Sequence, residues 1–367
     1  MWRTYLLKPA AFLCLALLSV SCEKESEVYQ TSENLMTTNF SQQKSSPKEI
    51  PDLDAKVNIF QENFQDILVI NAVAASECST TEFVEVQWKH LENIMNDPIA
   101  SANLERYNSL NRYAALLNIE DEYFGPNGEH TRLVKKIQRD LERFWNMPNE
   151  IRIHGQHNST LNDPDKLLDL FWLMIADVES KEDLYPMVEE ILYLNSISPN
   201  LPESPFFSSD GFANRSGLIV IGDGLIQLFT EAGIEADIAW TGILSHEWSH
   251  QVQMNHLENW YPEGNFDDEA ERTRFLELEA DFFSGYYMTH KRGATFNWKR
   301  AEAFFDLFFQ SGDCFFEFNF HHGTPLQREA AAYQGYFLAA SAKKKGKILT
   351  SEELHHYFVN LVYSKII

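Results

Sequence analysis

Ser245-His246-Glu247-Trp248-Ser249-His250 is the stretch that most restricts what this chain can become. On a helix, positions four apart share a face, so His246 and His250 can turn two imidazole nitrogens toward one ion. The surrounding run from Asp237 to Met254 contains no proline and opens on aspartate, a good helix-starting residue. Glu247 then lies one step round from the first histidine, too far to crowd an ion but within reach of a water bound to it. Ala239 and Gly242 fall on the histidine face and leave room for a ligand or for a neighbouring helix.

Two imidazoles do not complete a catalytic zinc site, which takes three protein ligands and a water. Glu277-Leu278-Glu279-Ala280-Asp281 offers the third. Glu277 and Asp281 share a helix face, and Phe275, Leu278, Phe282 and Tyr286 supply the opposite, buried one. This assigns Glu277 to the metal and Asp281 to the far nitrogen of a ligand histidine, where it would fix tautomer and ring orientation. The two helices are expected to pack antiparallel across the loop Glu258 to Glu269. Glu279 points off the Glu277–Asp281 row and is expected in solvent.

His-Glu-x-x-His followed by Glu-x-x-Ala-Asp resembles the gluzincin metallopeptidases. A third block, His321-His322-Gly323-Thr324-Pro325-Leu326-Gln327-Arg328, is similar to the His-Gly-x-x-x-Gln-Arg segment of the bacterial neutral zinc metallopeptidases. Order and spacing of the blocks match that family from Leu218 to Ala340; upstream the likeness is much weaker. The resemblance implies a zincin-like core and one Zn2+ per chain on His246, His250 and Glu277. It also implies a peptide or protein substrate, with endopeptidase action the default. Glu247 would act as general base, taking a proton from water and passing it to the departing amine. A donor to the developing oxyanion would come from His321, His322, Arg328, Tyr286 or Tyr287. His322 is the first choice, a structural histidine holding its loop the other reading. The family usually carries Gly-His where Trp248-Ser249 stand, so Trp248 is expected to reshape the substrate pocket.

Two other functions stay open. The metal could be structural, in an inactive, partner-binding surface lipoprotein; the retained Glu247, not needed to hold zinc, counts against that. Alternatively, the helical first half could be a surface module for a partner or glycan.

The 54 acidic against 30 basic residues give a formal charge of −24. That balance argues against nucleic acid, and against anionic membranes bound through a basic patch. Membrane association is expected only through an N-terminal lipid. Residues 1–21 read as a lipoprotein signal peptide, with Arg3 and Lys8 before an apolar core, Ala10 to Val20, too short to span a bilayer. Cys22 would then carry the lipid and place the protein in the cell envelope, either side of the outer membrane; ordinary secretion with cleavage near Ser21 is the alternative. Cys78 and Cys314 could form a disulfide or remain two buried thiols.

Residues 22–49 are polar and aperiodic, and read as a disordered tether. Residues 50–367 are expected to form one metallopeptidase unit, with a helical N-terminal subregion (50–195) and a zinc-binding catalytic region (196–367). The fold class is mainly α with a small β-sheet (α+β). Helical periodicity marks 82–95, 102–117, 130–145, 166–177, 184–194, 297–309, 326–342 and 351–363. Glu150 to His154 and Leu218 to Ile221 read as strands, and Ser196 to Gly217 as a long irregular loop. The second strand, placed directly before the metal helix, could be a sheet edge open to an extended peptide or a buried inner strand. His154 and His157 would point to opposite faces of a strand and not converge on a metal. His355 and His356 are expected at the surface.

Overall fold

The computed structural model describes residues 78–367 except 120–121, 177, 263, 295–297, 317 and 343–345. The expected signal segment, Cys22, the tether and the start of the folded unit lie outside the described residues. Among these, no helix is long and apolar enough to cross a membrane.

The chain is mainly helical with one small sheet. Helix α1 (Glu82–Asn96) begins where the Thr81 hydroxyl accepts the Val84 N–H, and α2 (Pro98–Leu116) where Asp97 accepts from Ile99 and Ala100. Proline at the first position of α2 has no N–H to leave unpaired there. Helix α3 (Thr131–Trp145) carries the cleanest apolar stripe, with Val134, Ile137, Leu141 and Phe144 buried. It stops at Asn146, which takes the left-handed conformation one residue before Met147-Pro148. Strand β1 (Arg152–Gln156), α4 (Pro164–Met174) and α5 (Tyr185–Ile197) complete the first half.

The stretch expected as an irregular loop contains β2 (Gly211–Asn214). Four residues, one of them glycine, are too few to show a period. Strand β3 (Leu218–Gly222) is the inner strand, parallel to β1 and antiparallel to β2, in the order β1-β3-β2. All of its residues are buried, so the inner-strand alternative holds, and β1 and β2 are the edges of the sheet. Nor does β3 lead directly into the helix of His246 and His250. Helix α6 (Asp223–Glu231) intervenes.

Helices α7 (Ala236–Met254) and α9 (Glu269–Thr289), linked through the short α8 (Leu257–Trp260), are buried along most of their length on every side. Such helices belong to a protein interior, and their polar side chains must find partners there. Gly242 of α7 lies against Leu307 and Phe304 of α10 (Trp298–Gln310), so the small residue there admits a neighbouring helix. Helix α9 crosses α11 (Pro325–Ala342) at still closer range. A Cβ on Gly285 would strike the Ala332 carbonyl, and one on Gly335 the Phe282 carbonyl. The chain ends with α12 (Ser351–Tyr357), opened by a Thr350–Glu353 capping box, a π-turn Phe358–Val362 and α13 (Tyr363–Ile366).

A large apolar cluster surrounds α7, α9 and α11, and a smaller one joins α1, α2, α4 and α5 to Phe206 and Phe207. Cys78 and Cys314 are disulfide-bonded, which decides between the two readings of those cysteines. The bond spans 236 residues of sequence and ties the approach to α1 to the segment after α10. Replacing both cysteines by serine is expected to lower unfolding free energy by about 2–4 kcal/mol. Urea unfolding of the two proteins checks this, and a change under about 0.5 kcal/mol would show that the crosslink adds little.

Candidate metal centre

Helices α7 and α9 meet in opposite directions: His246 faces Asp281, His250 faces Glu277, and Gln253 reaches the Leu276 carbonyl. Three side chains converge. His246 Nε2 is 3.2 Å from Glu277 Oε2, His250 Nε2 is 3.3 Å from Glu277 Oε1, and the two imidazole nitrogens are 3.0 Å apart. Ligands about 2.0–2.1 Å from a tetrahedral zinc stand roughly 3.3–3.4 Å from one another, so the spacing fits such an ion. Among the described residues this is the one group of histidine, cysteine or acidic side chains close enough to share a metal.

Each of the three side chains is oriented from behind. Asp281 Oδ1 lies 2.9 Å from His246 Nδ1, although the N–H is not aimed squarely at it. Asp281 is also gripped by Arg328 of α11, whose Nε and Nη2 both donate to it, the latter at 3.0 Å, while Nη1 stands 3.1 Å from Glu277 Oε2. His250 Nδ1 pairs with Gln253 Oε1 at 2.8 Å. The Gln253 amide in turn donates to the Leu276 carbonyl and, at 3.0 Å, to Glu279 Oε2.

Glu279 is therefore not in solvent. It is fully buried and also accepts from the Tyr261 hydroxyl and from His355 Nδ1, the latter at 2.7 Å. His355 is buried as well and stacks on Trp260 at 4.3 Å, contrary to the surface place expected for it; His356 is half-buried and pairs with Glu352. The sequence signal was Gln253, one turn beyond the second histidine, where a polar side chain on a buried helix has to bond something. Trp248 also departs from expectation: it is wholly buried in the apolar cluster and does not line the cavity above the ligands.

Glu247 is buried at the floor of that cavity, beside His246. Among the described residues, neither of its carboxylate oxygens has a hydrogen-bond partner. A buried carboxylate without donors is costly, and its orientation makes sense where a water or substrate proton supplies the bond. His322 lines the same cavity and is largely buried. Asp313 holds it through the backbone N–H at 2.8 Å and through Nδ1 at 3.3 Å, and also binds the neighbouring His321. His321, Tyr286 and Tyr287 do not line the cavity; the Tyr286 hydroxyl instead accepts from the Leu349 N–H. His154 and His157 go to separate partners, the Ala115 carbonyl and Asp223.

The electrostatics suit a cation. Burial alone would raise the Glu277 carboxyl, but the His250 and Arg328 charges and both imidazole bonds hold it well below the ordinary range. Burial disfavours the charged form of His246, yet its bonds to Asp281 and Glu277 carry its pKa above the usual value. The same opposition acts at His322, where Asp313 and the Glu277 charge outweigh burial and raise the pKa. Burial pushes the Glu247 carboxyl up. An anionic Glu277 that draws protons onto its neighbouring imidazole would accept a divalent ion in the proton's place.

Comparison with known protein families, curated proteins and solved structures returns no match. The likeness to the metallopeptidases thus rests on the three short blocks, and the site is judged on its own chemistry. If Gln253 orients His250, Gln253→Leu should weaken zinc binding about 10–100-fold. Competition against a zinc-chelating dye measures this; a change of roughly twofold or less would remove Gln253 from the metal's support.

Proposed function

We propose that this protein is a zinc-dependent peptidase of gluzincin type, with His246, His250 and Glu277 as metal ligands and Glu247 as general base. The observation that carries the reading is the unpartnered, buried Glu247 carboxylate beside three converging ligand atoms, opening onto a cavity. A purely structural metal needs neither the extra carboxylate nor the opening.

A zinc ion held by these three side chains would polarise a peptide carbonyl and make a water more acidic. Glu247 accepts the proton of the attacking water, then returns it to the amine that leaves. Burial raises its proton affinity, which suits a group that takes a proton and gives it back. His322, which lines the same cavity and whose pKa Asp313 raises, would donate to the carbonyl oxygen as negative charge gathers there. Arg328 neutralises Asp281 and Glu277 from behind and is not free for that task, which favours His322 over it. Strand β2 is the sheet edge beside α7, with Gly211 facing Glu247 and Ile243, so an extended chain can add to it next to the metal. Anchoring in the cell envelope through a lipid on Cys22 belongs to the same proposal and rests on the N-terminal sequence alone.

Glu247→Gln is expected to bind one zinc per chain as the parent does and to lose about 10²–10⁴-fold of peptide hydrolysis. Metal analysis paired with a casein digest reads both. A parent protein that holds zinc yet leaves diverse peptides intact would transfer the assignment to a structural metal.

A further inference from the structure

The cavity above Glu247 is walled in part by Phe83 and Trp88 of α1, and in part by Phe206 and Ser209 from the segment leading into β2. Phe206 and Ser209 also line a second cavity, of about 410 Å³ with its open mouth. Its remaining walls are Asn108, Ser109 and Arg112 of α2, together with Phe207 and Asp210. Positions 108, 109 and 112 fall on one side of a helix, so α2 presents an amide, a hydroxyl and a guanidinium to the same space. None of these residues belongs to the three sequence blocks.

The two cavities lie on opposite faces of strand β2. A Cβ on Gly211 would come within 3.8 Å of Glu247 Oε1, whereas the ring of Phe212, the next residue, lies 5.4 Å from the Arg112 guanidinium. Successive side chains of any extended chain alternate in the same way. A peptide added to the β2 edge with one side chain toward Glu247 would therefore turn the neighbouring side chain toward Arg112 and Asp210.

The charges in the second cavity cancel. Arg112 donates through Nε and Nη2 to the two Asp210 oxygens, each at 3.1 Å, and Gln156 donates to Oδ2 at 2.7 Å. A carboxylate brought there would meet Asp210, and an ammonium would meet Arg112, so neither gains from the pair as a whole. The Asn108 amide nitrogen, by contrast, is buried and has no hydrogen-bond partner among the described residues. An incoming oxygen would satisfy it, and a hydrocarbon would leave it unpaired. A carboxylate has about four acceptor sites, so Asp210 has room for a donor beyond Arg112 and Gln156. Resting on the peptidase reading above, we infer that the second cavity is a substrate subsite for a neutral hydrogen-bonding side chain, above all the carboxamide of Asn or Gln. That side chain belongs to the residue next to the one facing Glu247; its oxygen accepts from Asn108 and its NH2 donates to Asp210.

The test digests a randomised peptide library with the zinc-loaded full chain and reads the cut sites by mass spectrometry. Asn or Gln is expected at one fixed position within about two residues of the cut, with kcat/KM at least about tenfold above that of the matching Leu or Glu peptide. Asn108→Leu should reduce that preference about tenfold while zinc stoichiometry stays at one. Ser109 is exposed, so a change there does not put the fold at risk. Ser109→Glu sets a carboxylate at the mouth and should turn the preference at the same position toward Lys and Arg. Titration of the same peptides onto Glu247→Gln gives the preference as a ratio of binding constants, without cleavage. Cleavage by the parent with no carboxamide preference at any fixed position, or a preference unchanged in both folded variants, overturns the subsite and leaves the peptidase reading in place. A parent that binds zinc and cuts nothing overturns both.

Discussion

Two carboxylates on one face of a buried helix, Glu277 and Asp281, set the terms for everything around them. Burying two acidic side chains side by side calls for opposite charge close by. The Arg328 guanidinium provides it from α11, its planar fork reaching both acids at once. Arg328 can do so because α9 and α11 cross almost backbone to backbone at Gly285 and Gly335. The glycines, the arginine and the two acids form one arrangement, and the imidazoles of α7 take their places against it.

Behind the second histidine runs a chain of neutral and charged hydrogen bonds, from His250 through Gln253 to Glu279, and on to Tyr261 and His355. It draws the loop between α7 and α9 and the closing helix α12 into the support of one ring. Partners of this kind fix tautomer and orientation, and are as much a part of a metal site as the ligands. The π–π stack of His355 on Trp260 gives that support an apolar side as well.

The first half of the chain is not a separate attachment. Strand β1 completes the sheet against β3, and α1 overhangs the ligand cavity. The periodicity of 82–95 marks a helix and no more, because a helix pattern reports which face avoids water and not what lies opposite. Likewise, Trp248 interrupts the ligand motif at a position that suggested the pocket, but the helix carries it round into the core.

The parts of this protein fixed by its sequence are those set by short-range periodicity. His246, His250, Glu277 and Asp281 were legible because helix geometry puts positions four apart together, and the main helices because their apolar spacing repeats. Strand β2, the inner place of β3, the Cys78–Cys314 bond, the burial of Glu279 and His355, and the wall made by α1 were decided by tertiary structure alone. Each depends on residues far apart in sequence meeting in space, and a local pattern contains no record of which distant partner a side chain will find.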